Sequence, residues 1–427
     1  EAAGHGFESH RQLEGEPLAR PFSVFGFRFS VFGFEKPRTV LEVGMTALSR
    51  SRSLVLVLVV LFAASGCSSD EADPSSTSTA VSVTTSTAAP AAEECAPWLE
   101  ETVAATVEAA GLVGVAAAVV TPECVEQVAV GYSDIENQIP LGVDETFRIG
   151  SISKTITAAL AVRLAEEGYL SLDDPVADHV DGDFGDITIE QLLSHTSGLT
   201  DFDWEGNIWD YLRDPSAIAD RLGALDAALA SSARIDPGSI QRYANVNYLA
   251  AGLVIEAASG SSFEAALEEF VTGPLGIEST SVESSATELP GHYIRMTPTG
   301  DPIPLGDLPT GLGSIAAWSA GGMVSTLDDL TAFVEALFAD EIVSAESLAL
   351  MTEGSDGTRS GYGLGMDVSS VGGTPVFGHN GWIIGFSSSF RHAPEGGMTV
   401  IVFSNDGSTD APSLAEDLLS QALAEAG

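Results

Sequence analysis

One lysine stands out in a chain that almost avoids this residue. The 427 residues contain two lysines, Lys36 and Lys154, and Lys154 follows Ser151 by three positions in the stretch FRIGSISKTI. The apolar pattern from Ser151 onward is typical of the start of a buried helix, on which residues three apart share a face. We therefore predict a nucleophilic Ser151 that is activated by Lys154, because burial and a helix N-terminus both lower the pKa of an amine.

A second polar pair follows a turn further along the chain. Tyr243 and Asn245 stand two residues apart beyond Pro237-Gly238, so an extended segment would point both side chains the same way. We expect a tyrosine beside a lysine cation to ionise more readily and to relay protons. An asparagine amide can bind a carbonyl oxygen and an amine together. A core tyrosine beside a turn asparagine would explain the same three residues.

A histidine among glycines forms the third segment. His379 follows Gly378 and precedes Asn380-Gly381, at the start of what has the pattern of a strand. Glycine in a strand often marks close approach by a ligand or by another backbone, so His379 would meet a polar group of the substrate. A loop histidine with only a local role fits this segment equally well.

In this order the three segments resemble the motifs of the serine β-lactamase and penicillin-binding protein superfamily, which are S-x-x-K, Y-x-N and K-T-G or H-x-G. The resemblance covers residues 95–427, and the spacings are similar to the branch of class C β-lactamases, D-alanyl-D-alanine carboxypeptidases and related esterases. It implies an α+β fold, with an antiparallel sheet flanked by helices and an inserted all-helical subdomain. The cleft between these parts would contain all three motifs.

The resemblance also implies a role for each residue. Ser151 would attack a carbonyl while Lys154 and Tyr243 share the proton transfers, and Asn245 would position Lys154 and the substrate. Backbone N–H groups of Ser151 and Trp382 would form the oxyanion hole. The substrate-binding residues are Asn245, His379, Asn380, Gly381 and Trp382. No cofactor and no metal are implied.

The position of His379 bears on the substrate. True β-lactamases usually have a lysine there, and an imidazole binds a carboxylate less firmly than an ammonium does. The family interpretation is a serine hydrolase of the D-alanyl-D-alanine carboxypeptidase or β-lactamase-related type, acting on a peptidoglycan stem peptide. The alternatives are an esterase or D-amino-acid amidase that cleaves a small ester or amide, or a non-catalytic peptidoglycan-binding relative.

The elements that must position these residues come from both ends of the chain. Helical spacing covers Trp98 to Ala110, dominates from Ser151 to about Glu269, and returns after Pro412. Strand patterns occupy the segments 113–120, 125–130, 374–377, 383–390 and 398–403. This order predicts a sheet closed by the two termini, with the helical region inserted between them.

Composition narrows the function further. The net charge of -44 repels nucleic acid and anionic membrane surfaces, so we expect neither as a partner. The histidines and cysteines show no zinc spacing. The acidic stretch that begins at Asp181 has Asp186 and Leu192 where a calcium loop needs glycine at its sixth position and glutamate at its twelfth. His195, in the turn SHTSG, is expected to be structural. The sequence gives no indication of the oligomeric state.

The chain before the hydrolase domain divides into three segments. Residues 1–44 precede Met45, and we interpret them as an upstream segment outside the fold, although a short structural repeat is the alternative. Residues 45–67 have an arginine-containing start, a short apolar run and a small-residue end at Cys67. This pattern resembles a lipoprotein signal peptide, with lipid on the sulfur of Cys67, although an ordinary signal peptide cut nearby is the alternative.

Both alternatives imply that the protein is exported. We expect it at the outer face of the cytoplasmic membrane or in the cell envelope, touching the membrane only through the lipid of Cys67. Residues 68–93, rich in Ser, Thr, Ala and Pro, are predicted to be a disordered linker to the domain at 94–427. In an exported chain Cys95 and Cys124 can form a disulfide. Two unrelated buried thiols are the alternative.

Overall fold

The structure is a computed structural model that describes residues 95–201, 221–231, 233–284, 286–295, 300–306, 317–354 and 361–426. All of them belong to the structural unit formed by residues 86–427. The predicted upstream segment, signal peptide and linker, together with Cys67, lie outside the described residues. Within the described ranges, none of the helices has both the length and the apolar character that crossing a membrane requires.

An eight-stranded antiparallel sheet forms the centre of the fold, in the order β3-β2-β1-β13-β12-β11-β10-β9. Its strands are β1 (Gly114–Val120), β2 (Val125–Asp134), β3 (Ile139–Pro140), β9 (Gly361–Tyr362), β10 (Asp367–Val371), β11 (Thr374–Ile383), β12 (Phe386–Ala393) and β13 (Met398–Ser404). Of the described strands, the first in the chain, β1, pairs with the last in the chain, β13, with Val115 opposite Ser404. The expected α+β fold, with a sheet closed by both ends of the chain, is therefore confirmed.

The remaining described strands form two smaller sheets. One contains β4 (Phe147–Arg148), β8 (Met323–Ser325) and β5 (Ser281–Val282), and the other pairs β6 (Tyr293–Ile294) with β7 (Ile303–Pro304). The three-stranded sheet matters for the site, because β4 ends immediately before the predicted nucleophile.

The helices divide between the two faces of the large sheet. They are α1 (Leu99–Ala110), α2 (Ser153–Glu166), α3 (Ile189–Leu193), α4 (Arg221–Leu229), α5 (Asn245–Ser259), α6 (Phe263–Leu267), α7 (Gly273–Leu275), α8 (Trp318–Gly321), α9 (Leu327–Phe338), α10 (Ala345–Met351) and α11 (Ala411–Ala426). Among the described helices, α1 and α11 pack on one face, over alternate strand residues such as Val115, Val376 and Val402. The intervening residues, such as Phe377 and Phe403, join the helices of the inserted region in a separate core.

Helix α2 is buried almost all the way round, as the apolar sequence after Ser151 predicts. All residues from Ser153 to Val162 are buried, and a helix with no polar stripe has no face to give to solvent. Ser151 itself lies in a turn of 3₁₀-helix, Gly150–Ile152, that leads into α2. The spacing of three that brings a serine and a lysine together therefore spans the junction of the two helix types.

The strand prediction around His379 is wrong in its boundaries. Strand β11 runs without interruption from Thr374 to Ile383, so His379 lies in its middle and not at the start of a strand. The segment predicted at 383–390 is instead divided by a tight turn, in which Gly385 has φ +80°. Glycines at 378 and 381 conceal the strand, since they break the alternation of side chains on which the prediction depends.

Candidate active site

Close backbone approach places the predicted nucleophile against strand β11. A Cβ atom on Gly150 would lie 2.7 Å from the backbone nitrogen of Trp382, and one on Gly381 would collide with the carbonyl oxygen of Ile149. Both positions therefore require glycine. The contact puts Trp382 beside the turn that contains Ser151, as an oxyanion hole built from their two N–H groups requires.

The Lys154 amine lies among three oxygens. Its Nζ is 3.0 Å from Ser151 Oγ, 2.7 Å from Asn245 Oδ1 and 2.5 Å from the Ala320 carbonyl oxygen. The amide and carbonyl oxygens can only accept hydrogen bonds, whereas the serine hydroxyl can also donate one. A neutral amine therefore gives its two N–H groups to Asn245 and Ala320, and its lone pair faces the hydroxyl of Ser151.

Burial makes this neutral form accessible. The Lys154 side chain is fully buried, and desolvation lowers its pKa from 10.5 to about 7, while the charge of Asp201 acts in the opposite direction. A base is most effective when its pKa is near the working pH. Lys154 thus has the geometry and the pKa of a general base for Ser151.

The expectation that Lys154 promotes ionisation of Tyr243 is wrong. Desolvation raises the pKa of the Tyr243 phenol, although contact with Ser151 acts in the opposite direction. The lysine Nζ lies over the aromatic ring, 4.8 Å from its centroid, in a position that does not favour a phenolate oxygen. Although 45% of the residue is exposed, its phenol keeps the proton at neutral pH, and the hydroxyl can both donate and accept a hydrogen bond.

His195 packs under Tyr243, with 4.3 Å between the ring centroids. Its Nδ1 accepts hydrogen bonds from the Ala244 backbone N–H at 3.3 Å and from Asn247 Nδ2 at 3.0 Å, which assigns the proton to Nε2. Burial lowers the pKa of His195 well below its ordinary value, so the ring is neutral. These contacts hold the chain between Tyr243 and helix α5, in line with the structural role that the sequence predicts.

His379 is not placed as an exposed cation for a substrate. The side chain is buried, its Nε2 accepts a hydrogen bond from the Tyr362 hydroxyl at 2.9 Å, and its Nδ1 lies 2.6 Å from the Asn380 carbonyl oxygen. Desolvation is the main reason that its pKa falls to about 3. The expected direct contact with a substrate group is therefore replaced by a neutral ring that holds Tyr362.

The side chain of Asn380 lies outside the cleft. Alternate residues of β11 face opposite sides, and Asn380 shares the side of Val376, which is covered by α1 and α11. Its Oδ1 accepts hydrogen bonds from Arg391 at 2.7 Å and from Ser389 at 3.0 Å. The Asn380 side chain is therefore not available to a substrate in the cleft, and contact through its backbone stays a prediction.

Trp382 has a second feature besides its backbone N–H group. Its indole is 55% exposed, and Nε1 donates a hydrogen bond to the Gly407 carbonyl oxygen at 2.7 Å. The hydrogen bond holds the ring in one position. Because Trp382 shares the side of Asn380 in strand β11, its backbone N–H group, and not its ring, is what lies beside the Ser151 turn.

Asp201 belongs to the site and was not predicted. Its Oδ2 accepts a hydrogen bond from Asn245 Nδ2 at 2.8 Å, and its Oδ1 accepts one from the Val246 backbone N–H at 3.0 Å. In the sequence it is one of 61 acidic residues, and its place three positions after the SHTSG turn is its only local distinction. Tyr362 was also missed, since nothing near it in the sequence indicates a catalytic site.

Comparison with known proteins agrees with this arrangement. The β-lactamase family model matches residues 99–424, which contain every catalytic position described above. The chain belongs to the β-lactamase family. Its relatives there are serine hydrolases, including an esterase and an amidohydrolase, and the chain is accordingly a serine hydrolase with a β-lactamase-like fold.

The relatives differ in the activities for which they are named. The chain is 28% identical to penicillin-binding protein 4 of Amycolatopsis lactamdurans, in an alignment covering 73% of this chain and 85% of the relative. It is 29% identical to esterase EstB of Burkholderia gladioli, over 60% of this chain and 78% of the relative. The crystal structure of a D-stereospecific amidohydrolase from Streptomyces sp. has a TM-score of 0.64 and 27% identity, over 74% of this chain and 97% of that one. Family membership therefore leaves the substrate open.

The disulfide predicted between Cys95 and Cys124 is present in the structure. It links the residues just before α1 to the turn that separates β1 from β2. These two cysteines lie near Glu126, but they are bonded to each other and are not available as metal ligands.

Proposed function

We propose that this enzyme hydrolyses an ester or amide bond through an acyl-enzyme on Ser151, with Lys154 as the general base. The observation that carries the proposal is the set of oxygens around Lys154 Nζ. Asn245 Oδ1 and the Ala320 carbonyl occupy both N–H groups of the neutral amine, so its free lone pair faces Ser151 Oγ at 3.0 Å.

The first half of the reaction forms the acyl-enzyme. The Ser151 hydroxyl proton moves to Lys154 Nζ as Oγ bonds to the substrate carbonyl carbon. The carbonyl oxygen becomes an oxyanion beside the backbone N–H groups of Ser151 and Trp382. When the tetrahedral intermediate collapses, the bond to the alcohol or amine breaks, and the proton reaches this leaving group by way of the Tyr243 phenol.

The second half removes the acyl group. Water attacks the ester carbon on Ser151 Oγ and gives up a proton to the same base. Collapse of this second intermediate breaks the bond to Oγ, returns a proton to Ser151 and releases a carboxylic acid. Lys154 is then again neutral, and no cofactor takes part in any step.

The surroundings of the nucleophile favour substrates without a carboxylate next to the scissile bond. A neutral, buried His379 supplies no positive charge to bind such a group, and Lys154 must lose its own charge to act as a base. The partly exposed ring of Tyr243 offers apolar surface instead. We therefore favour an ester, or an amide with an uncharged leaving side, in keeping with the esterase and amidohydrolase among the relatives.

A D-alanyl-D-alanine peptide remains the second candidate, because penicillin-binding protein 4 matches this chain over 85% of its length. The cellular location is proposed from sequence alone. We propose that residues 45–67 direct export and that Cys67 carries a lipid anchor. Release of the Cys67→Ser protein from the membrane fraction would support the anchor, and unchanged retention would contradict it.

The test of the reaction uses the purified chain with p-nitrophenyl butyrate and a fluorescent penicillin. We expect burst release of nitrophenol followed by steady turnover, and weak or slow labelling by the penicillin. Ser151→Ala should abolish ester turnover, whereas Ser239→Ala, which changes an exposed serine near the turn before Tyr243, should leave it unchanged. Strong, lasting penicillin labelling with little ester turnover would favour the peptidase. If the chain shows neither penicillin labelling nor ester turnover, the catalytic proposal is wrong.

A further inference from the structure

We propose that Asp201 is a positioning residue of the active site, which fixes the amide of Asn245 so that its oxygen, and not its nitrogen, faces Lys154. The proposal rests on the function proposed above, because it concerns the base of that reaction. It assigns a role to a residue that touches neither Ser151 nor the predicted path of the substrate.

The two ends of the Asn245 amide have different hydrogen-bond partners. Its Nδ2 donates to Asp201 Oδ2 at 2.8 Å, and its Oδ1 accepts from Lys154 Nζ at 2.7 Å. A carboxylate can only accept hydrogen bonds, so it binds the NH₂ end of the amide and leaves the oxygen end toward the lysine. The reversed amide would bring two acceptors together at Asp201 and two donors together at Lys154.

Asp201 also takes the place of a helix cap. Helix α5 begins at Asn245, and its N-cap residue Ala244 has no side chain that could accept a hydrogen bond. Asp201 Oδ1 accepts from the Val246 backbone N–H at 3.0 Å instead. One carboxylate thus fixes both the backbone and the side chain at the start of the helix, and its negative charge lies at the positive end of the helix dipole.

The separation between Asp201 and the amine has an electrostatic consequence. Asp201 lies beyond Asn245 and raises the pKa of Lys154, but makes no direct ion pair that would keep the amine protonated. Within the described ranges, the other titratable groups that face the amine are His195, Tyr243, Tyr248 and His379. Both histidines have lowered and both tyrosines raised pKa values, so all four are neutral near pH 7.

The decisive variant is Asp201→Asn, which removes the charge and places an NH₂ group opposite one of the two donors, Asn245 Nδ2 or the Val246 backbone N–H. Loss of the negative charge lowers the pKa of Lys154, so the acidic limb of the kcat/KM profile should move to lower pH by about half a unit or more. The mispositioned amide should lower kcat for p-nitrophenyl butyrate by about tenfold, with KM changed less than twofold. Asp201→Glu keeps the charge and should return the acidic limb toward its wild-type position.

A matched control separates positioning from helix capping. Asp410 accepts hydrogen bonds from the backbone N–H and the hydroxyl of Ser413 at the start of α11, on the other face of the sheet. Asp410→Asn should leave both kcat and the pH profile unchanged. If Asp201→Asn lowers thermal stability but leaves kcat for p-nitrophenyl butyrate unchanged, Asp201 is only a cap and the positioning role is wrong. Failure of the proposed function would differ, because the wild-type chain would then lack Ser151-dependent turnover.

Discussion

Arg148 and Lys154 are two buried basic side chains, six positions apart, whose surroundings differ. Arg148 is 1% exposed and forms a bidentate ion pair with Glu283, with Nε–Oε2 at 2.8 Å and Nη2–Oε1 at 2.7 Å. Lys154 is fully buried, but its amine meets a hydroxyl, an amide oxygen and a backbone carbonyl. The carboxylate of Asp201 lies one residue further away, beyond Asn245.

The difference explains why one residue supports the fold and the other the chemistry. Burial of a charge is costly unless a partner of opposite charge accompanies it. Glu283 supplies that partner to Arg148 and ties β4 to the residue that follows β5. Lys154 receives only neutral oxygens at contact distance, so the cost of burial falls on its protonated form and its pKa drops to about 7.

The largest expected effect comes from making Lys154 resemble Arg148. Lys154→Arg should lower kcat/KM for p-nitrophenyl butyrate by about 10²–10⁴-fold, because arginine cannot give up its proton to accept one from Ser151. Steady-state kinetics of purified protein measure this effect. Arg163→Lys, on the same helix but partly exposed, should retain full activity. More than a tenth of wild-type kcat/KM in Lys154→Arg would contradict the role of the amine.

The second prediction concerns stability and removes Glu283, the partner of the buried Arg148. Glu283→Gln should lower the free energy of unfolding by about 3–5 kcal/mol, because it leaves the Arg148 guanidinium buried without a compensating charge. Denaturant titration followed by circular dichroism measures the loss. Lys154→Met should cost much less, since it removes an amine that the fold does not pair directly. Equal losses in the two variants would show that both side chains are structural.

A smaller effect appears in the dependence of kcat/KM on pH. Because only the neutral amine accepts a proton, kcat/KM should fall as pH decreases through the pKa of Lys154, about 7, and should reach a plateau above it. His379, with a pKa of about 3, should add no inflection between about pH 5 and 9. An acidic limb centred near 10 would mean that Lys154 remains charged at neutral pH.

The smallest effect is expected for a basic residue paired at the surface. Arg163, in the last turn of helix α2, and Glu167, its C-cap residue, form an ion pair of 2.7 Å with 35% and 45% of their side chains exposed. Glu167→Gln should change the free energy of unfolding by less than about 0.5 kcal/mol, because solvent already screens the pair. A loss as large as that of Glu283→Gln would show that burial does not explain the contrast.

The sequence predicted those parts of the site that depend on local spacing. Three positions separate Ser151 from Lys154, and this spacing brings their side chains together even though the serine is in a 3₁₀ turn. The helix predicted after Pro412 is likewise confirmed as α11, in which Leu418, Leu419 and Ala422 are buried. Both features depend on residues within a few turns of each other.

Features that depend on distant residues could not be predicted in this way. The ionisation state of His379 follows from burial and from Tyr362 on another strand. The direction of the Asn380 side chain depends on the register of β11 in the sheet. Asp201 acquires its role from Asn245, 44 positions later, and only the folded chain shows that they meet.

The most direct test of the account is the pKa of Lys154 in the folded enzyme. Because the chain has two lysines, labelling with [ε-¹³C]lysine gives at most two side-chain signals by NMR, and the Lys154→Arg variant identifies the one that belongs to Lys154. We predict that the Lys154 signal titrates with a midpoint near 7, well below the ordinary lysine value of about 10.4. A Lys154 midpoint above about 10 would contradict the account, because the amine could not then serve as the base for Ser151.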